Sequence, residues 1–100
     1  MAKMEERLES LVARHEEINE LMMRNDIVSD RKEMAKLGRE QNELLPVVDT
    51  YNAYKKACQE LEDAKVLSLE DDKEIREMAL MEIEELEPAI QEYLDKLELL

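Results

Sequence analysis

The chain has 100 residues, enough for one domain, and its formal charge of −13 opposes strong direct binding to nucleic acid or to an anionic membrane surface. Charged residues make up 41% and hydrophobic residues 44%, with one Gly, two Pro and no Trp or Phe, so the composition predicts long helices rather than disorder or a β-sheet. The single Cys excludes an intramolecular disulfide, no apolar run is long enough to cross a membrane, and no signal peptide is present, which predicts a cytoplasmic protein.

The first predicted helix extends from about Lys3 to Arg24. Its apolar stripe recurs at alternating spacings of four and three residues, the rhythm of one helix face. The stripe comprises Met4, Leu8, Leu11, His15, Ile18 and Met22. Asn25 and Asp26 follow, and because their side chains favour local turn hydrogen bonds, we expect the helix to stop there.

The second predicted helix begins at Ser29 and Asp30. Asp30 and Glu33 have the spacing of a capping box, in which each side chain binds the other residue's backbone amide. The inner face that follows comprises Met34, Leu37, Leu44, Val48, Tyr51, Cys58 and Leu61, and it is widened by Leu45, Val47 and Tyr54. Gln41 and Lys55 interrupt this face, so we expect it to exclude water less completely than the first stripe does.

The third predicted helix begins near residues 69–72 and continues to the end of the chain. Four acidic residues crowd its first turns, where the helix dipole favours negative charge. A seven-residue rhythm then follows, which is typical of a coiled coil. It comprises Ala79, Ile83, Leu86, Ile90, Tyr93, Leu97 and Leu100.

Two prolines lie inside these helical patterns. Pro46 removes a backbone donor and disfavours helical geometry at Leu45, but the apolar pattern continues beyond it. We therefore expect a kink or a brief break at Pro46, and a bend near Pro88, which lies on the outer side of the third helix.

Three amphipathic helices joined by short polar connections must pack on one another, because a lone amphipathic helix is marginal in water. The predicted fold is all-α, an elongated antiparallel bundle or hairpin of three long helices that forms a single domain over residues 1–100. Since residues 97–100 still follow the apolar helical pattern, we expect the chain to be the N-terminal part of a longer protein.

The sequence predicts no catalytic, cofactor or metal site. His15, the only histidine, lies on an apolar stripe with no nucleophile in the pattern, which favours a partly buried structural role over a general base. Cys58 lies on an inner face and suits a small core residue. The pairs of adjacent Glu residues lie opposite the stripes, where solvated charge is the ordinary explanation, and one Gly excludes a phosphate-binding loop.

One cluster of cations opposes the overall charge. It lies in the first turns of the second helix and comprises Arg31, Lys32, Lys36 and Arg39. Two interpretations are open: solubility with ion pairs to Glu33 and Glu40 along the helix, or contact with a phosphate or an acidic partner. By contrast, residues 70–100 hold twelve acids against three bases, a local charge of −9, which would suit a basic protein or be merely solvated.

Four segments, in order, resemble the first domain of the bacterial class I peptide chain release factors. They are residues 14–22, residues 31–48, residues 51–57 and residues 71–79, whose sequence is DDKEIREMA. In the last segment Asp72 and Lys73 stand where Pro and Glu are common in the family. Of the two bacterial factors in this class, the chain is more similar to the one that reads UAA and UAG, because it lacks the tryptophan turn usual in the other.

The resemblance implies a role in translation termination without the active elements. In the family, the Gly-Gly-Gln loop that promotes peptidyl-tRNA hydrolysis and the tripeptide that reads stop codons lie in later domains, and this chain contains no Gly-Gly pair. The resemblance also implies two partners. One is the ribosome near the stalk-base protein, and the other is the methyltransferase that modifies the Gln.

The main alternative is a stand-alone acidic coiled-coil adaptor or oligomerisation protein, which the seven-residue rhythm of the third helix would favour. The proline inside the second helix and the polar Gln41 and Lys55 fit an intramolecular bundle better. An acidic enzyme is a third class, and it would have to depend on His15.

Overall fold

The computed structural model describes residues 2–100, with side chains from Lys3 onward, and this range contains helices and no strand. The helices are α1 (Ala2–Leu21), α2 (Asn25–Val28), α3 (Arg31–Leu67) and α4 (Lys73–Leu99). The predicted all-α class with three long helices is therefore confirmed. The chain divides into two compact units, Met1–Asp49 and Thr50–Leu100, both of which include part of α3. A single cooperative domain over residues 1–100 stays a prediction.

The first unit buries the predicted stripe of α1 together with the first part of α3. Leu8 and Ile18 are almost completely buried, and the other four members of that stripe, including His15, are half-buried. The part of α3 in this unit contributes Leu37, Val47 and Val48 as buried residues, whereas Leu45, predicted on the margin of the inner face, is exposed. The alternating spacing of four and three residues thus identified the packed face of α1 correctly.

Between α1 and α3 the chain forms a short helix that the sequence did not predict. The first helix ends at Leu21, three residues earlier than expected, and α2 then makes a single turn. Local polar contacts hold this turn: Arg24 Nη2 lies 2.9 Å from Asp26 Oδ2, and Ser29 Oγ donates to the Asn25 carbonyl at 2.8 Å. These contacts take the place of the backbone hydrogen bonds that a longer α1 would have made.

Only half of the predicted capping box forms at the start of α3. The Glu33 amide donates to Asp30 Oδ1 at 3.1 Å, as predicted. The Asp30 amide instead donates to the Ile27 carbonyl at 2.9 Å, because α2 brings that carbonyl within reach. The side chain of Glu33 is therefore not needed to satisfy it.

Polar side chains also join α1 to α3. The Arg14 guanidinium donates to both oxygens of Glu40, at 2.6 Å from Nε and 2.8 Å from Nη2, and its Nη1 donates to Glu17 at 2.8 Å. Gln41, which interrupts the apolar face of α3, donates to Asn19 on α1 at 2.8 Å. Planar two-point contact of this kind fixes orientation as well as distance, so the Arg14–Glu40 pair sets the register of the two helices.

The second unit pairs the last part of α3 with α4, and alanines supply much of its buried surface. Its buried side chains are Tyr51, Ala57, Ala64, Ala79 and Leu97. Ala57 and Ala64 were not predicted, whereas the predicted Cys58 and Leu61 are only half-buried. Small side chains at the packed positions let two helix backbones approach closely, and larger neighbours then lie at the margin of the contact.

The connection between α3 and α4 is held by side chains on both sides of the helix start. Asp72 is the N-cap of α4, and its Oδ1 accepts from the Glu74 amide at 2.9 Å and the Ile75 amide at 3.3 Å. Arg76 Nη1 donates to the carbonyls of Glu70 and Asp71 at 3.0 and 2.7 Å. The helix thus begins at Lys73, slightly later than predicted, so that of the four acids only Glu74 lies in its first turn and Asp72 caps it.

Neither proline interrupts its helix. Both are exposed, and α3 and α4 continue through Pro46 and Pro88 without a break. The brief break considered at Pro46 does not occur, while the apolar pattern beyond it does belong to the same helix, as predicted. An exposed site tolerates proline because water can solvate the Asn42 carbonyl, which loses its helical partner there.

Replacing Gly38 by Ala is expected to stabilise the protein. A Cβ added at Gly38 would meet nothing within 4 Å, and the residue lies inside α3 without a positive φ. Since Gly costs a helix interior about 1 kcal/mol relative to Ala, Gly38→Ala should raise the free energy of unfolding by roughly that amount. Urea unfolding followed by circular dichroism measures it, with Ala35→Gly as the matched control that should lower stability. An unchanged or lower stability of Gly38→Ala would contradict the expectation.

The Arg14–Glu40 pair predicts a specific pH dependence. The hydrogen bonds from Arg14 hold the pKa of the Glu40 carboxyl below its ordinary value. A carboxyl whose pKa is lowered by folding stabilises the fold above its ordinary pKa, and this contribution is lost as the pH falls through the lowered value. The stability difference between the wild type and Glu40→Gln should therefore be constant near neutral pH and shrink below about pH 4.

Urea unfolding of both proteins between pH 7 and pH 3 measures this difference. Glu43→Gln is the matched control, because Glu43 is an exposed carboxyl on the same helix and forms no ion pair within the described residues. The stability difference between Glu43→Gln and the wild type should not show the same dependence on pH. If the Glu40→Gln difference were independent of pH, the Arg14–Glu40 contact would not persist in solution.

Candidate functional site

The four cations singled out in the sequence lie together on the first turns of α3. We call this cluster the basic patch; it comprises Arg31, Lys32, Lys36 and Arg39. All four residues are exposed. At about 100° per residue, Lys32, Lys36 and Arg39 fall within an arc of about 60° on the helix, with Arg31 beside them. The helix therefore presents these positive charges on one side, away from the buried Leu37.

The acidic residues near the basic patch do not neutralise it through direct contact. Within residues 2–100, none of its four side chains makes a hydrogen bond or an ion pair. Glu40, one of the two expected partners, is bound to Arg14 instead. Lys36 acts on Glu40 only through space, as a minor cause of its lowered pKa. The ion pairs expected along α3 are therefore not formed among the described residues.

The residues considered for catalysis do not belong to the basic patch. His15 is half-buried on α1, and Cys58 is half-buried on α3 within the second unit. The adjacent acids at Glu16 and Glu17 are exposed. Among the residues that the structure describes, no group of three or more His, Cys, Asp or Glu side chains is placed to hold a metal ion.

Across the described part of the chain, no helix combines the length and the apolar character that a membrane crossing requires.

Comparison with known proteins gives a consistent result. The family model of the PCRF domain matches residues 11–100. Peptide chain release factor 1 of Geobacillus sp. (strain WCH70) is 39% identical over 96 residues, which is 95% of this chain and 27% of the relative. Peptide chain release factor 1 of Lactobacillus johnsonii is 35% identical over 101 residues, covering all of this chain and 28% of the relative.

Peptide chain release factor 1 of Bacillus subtilis is 35% identical over 96 residues, with the same coverage as the first relative. The chain thus spans about a quarter of the length of the curated relatives that it matches. No solved structure matches it. The resemblance seen in four segments of the sequence is confirmed along nearly the whole chain. This chain belongs to the PCRF domain family.

Proposed function

We propose that this chain is the helical docking domain of a translation termination factor that acts at UAA and UAG codons in the cytoplasm. The observation that carries the proposal is the family match over residues 11–100, together with relatives named peptide chain release factor 1. In this proposal the chain positions the factor on the ribosome. Codon reading and peptidyl-tRNA hydrolysis belong to the part of such factors that this chain does not match.

The chain's own residues support a role without catalysis. Hydrolysis by this family uses a Gly-Gly-Gln loop, and a chain with one glycine cannot supply it. His15 is half-buried on the packed stripe of α1, whose other members include no Ser or Cys that a general base could activate. We therefore assign the chain to binding and not to chemistry.

The basic patch is the surface that we assign to ribosome docking. Its four charges are exposed and free of direct ion pairs within the described residues, so they keep their full attraction for phosphate or for acidic side chains. The strongly negative remainder of the chain would limit this contact to a small area. The stalk-base region of the ribosome and the methyltransferase that modifies the Gln are the partners that the family suggests.

The adaptor hypothesis is less well supported. Its main argument was the seven-residue rhythm of α4, and that rhythm packs within the second unit. Ala79 and Leu97 are buried there, and Ile83, Leu86 and Ile90 are half-buried, although Leu100 is exposed. A stripe that is largely covered within the chain leaves little apolar surface for the seam of an oligomer. Sedimentation should accordingly find a monomer.

A chimeric factor tests the proposal. The chain replaces the aligned 96-residue segment of Bacillus subtilis peptide chain release factor 1, and peptide release is measured on ribosomes stalled at UAA. The chimera should release peptide. Reversing the patch with Arg31→Glu, Lys32→Glu, Lys36→Glu and Arg39→Glu should raise KM about tenfold at unchanged kcat, because exposed charge contacts contribute on the order of 0.2–1 kcal/mol each and docking is not the chemical step.

A second set of reversals controls for net charge. Lys3→Glu, Arg7→Glu, Lys56→Glu and Lys96→Glu change four exposed cations elsewhere by the same total charge. This variant should keep a KM near that of the unmodified chimera. Equal effects of the two sets would remove the patch from the proposal. A chimera that is folded but releases no peptide at any concentration would contradict the docking function itself.

A further inference from the structure

Two methionines on α4 point away from the packed face of that helix. Met78 is 70% exposed and Met81 is 65% exposed, although Ala79 between them is buried. At about 100° per residue, the two methionines lie about 100–160° around the helix from Ala79. They are three residues apart and therefore neighbours on the helix surface. Their exposure leaves a patch of apolar surface in water that the second unit does not use.

Four carboxylates frame this pair at regular helical spacing. Glu74 and Glu82 lie four residues before and after Met78, and Glu77 and Glu85 stand in the same relation to Met81. Residues four apart on a helix are surface neighbours, so each methionine lies between two acids. We call these six residues the methionine surface.

Almost no positive charge balances the methionine surface. Within the described residues, the four acids make one ion pair, from Lys73 Nζ to Glu77 Oε1 at 4.0 Å, the longest of the ion pairs described here. The nearby Arg76 is directed to the carbonyls of Glu70 and Asp71 instead. The surface therefore combines an apolar centre with a negative rim that is compensated only at Glu77.

We propose that the methionine surface binds a cationic amphipathic segment of a partner protein. Apolar side chains of that segment would pack on Met78 and Met81, whose flexible thioethers adapt to differently shaped anchors. Its Lys or Arg residues would pair with the surrounding carboxylates, which also steer the encounter. The negative rim disfavours nucleic acid and anionic lipid, because both carry the same sign of charge.

This inference goes beyond the proposed docking function and shares no residue with the basic patch. Charge complementarity decides the kind of occupant. A second copy of this chain carries a formal charge of −13, which opposes its approach to the negative rim, and a neutral apolar segment would leave the four acids unpaired. A cationic segment satisfies both the apolar centre and the rim at once.

The probe is a synthetic helical peptide of about 14 residues, with Leu at one face, Lys at the other and a single Trp. Because the chain contains no Trp, the fluorescence of the peptide reports binding without background from the protein. The wild-type chain should bind the peptide, and Met78→Gln with Met81→Gln should weaken binding about tenfold through the loss of buried apolar area. Glu74→Gln with Glu82→Gln should also weaken binding and reduce its dependence on salt.

Matched variants separate this surface from general attraction to an acidic protein. Met23→Gln changes a methionine that is 82% exposed elsewhere, and Glu16→Gln with Glu20→Gln removes two exposed acids, one helical turn apart, on α1. Both variants should bind the peptide like the wild type. The variant with the basic patch reversed should also retain binding, which separates this test from that of the docking function. Gln and Met have similar helix propensities, and circular dichroism checks that each variant remains folded.

Three results would overturn the proposal. The first is unchanged binding by the double methionine variant. The second is equal binding of a control peptide that carries Glu in place of Lys, since that would show attraction to apolar surface alone. The third is a dimer in sedimentation that becomes monomeric when Met78 and Met81 are replaced, because the occupant would then be a second copy of the chain.

Discussion

The burial of narrow apolar stripes on helices that are otherwise charged is the constraint on which this structure depends. Isolated amphipathic helices are marginal in water. Among the described side chains, α1 buries only Leu8 and Ile18, and α4 buries only Ala79 and Leu97. Both units take part of α3 to complete their packing. With so little apolar area per helix, polar contacts have to fix the register and the ends of the helices, which the stripes leave undetermined. The two hydrogen bonds from Arg14 to Glu40 fix the register in the first unit, and the Asp72 cap fixes the start of α4 in the second.

Local sequence patterns predicted the helices well, and they predicted the contacts between helices poorly. The period of α1 located Leu8 and Ile18, and the acidic run located the start of α4 to within a few residues, because both signals are local in the chain. The Arg14–Glu40 bond joins residues 26 positions apart, so no local period could reveal it. The short α2 also escaped prediction, since a four-residue helix is too short to show a period.

Alanine and methionine show why residue type alone was misleading about burial. Ala57 and Ala64 are ordinary helix formers by residue type, but they lie on the packed face of α3, where their small size allows close packing. Met78 and Met81 are hydrophobic, but they lie outside the buried stripe that passes through Ala79. The basic patch could be predicted as a cluster on one side of a helix. The bond between Arg14 and Glu40 could be seen only in the three-dimensional structure. It removes Glu40 as an expected partner of the basic patch.

The bracing of the α3–α4 connection has a consequence for recognition. Asp72 binds two backbone amides within the first turn of α4, and Arg76 binds two carbonyls that precede the helix, so the start of α4 is held in place without a partner. Glu74, the first carboxylate of the methionine surface, is one of the residues whose amide is held. The backbone at the start of α4 would therefore lose little conformational entropy on binding. Most of the entropy loss would come from the ordering of the incoming segment. The rate of complex formation would then depend on how the partner folds against a surface that is already in place.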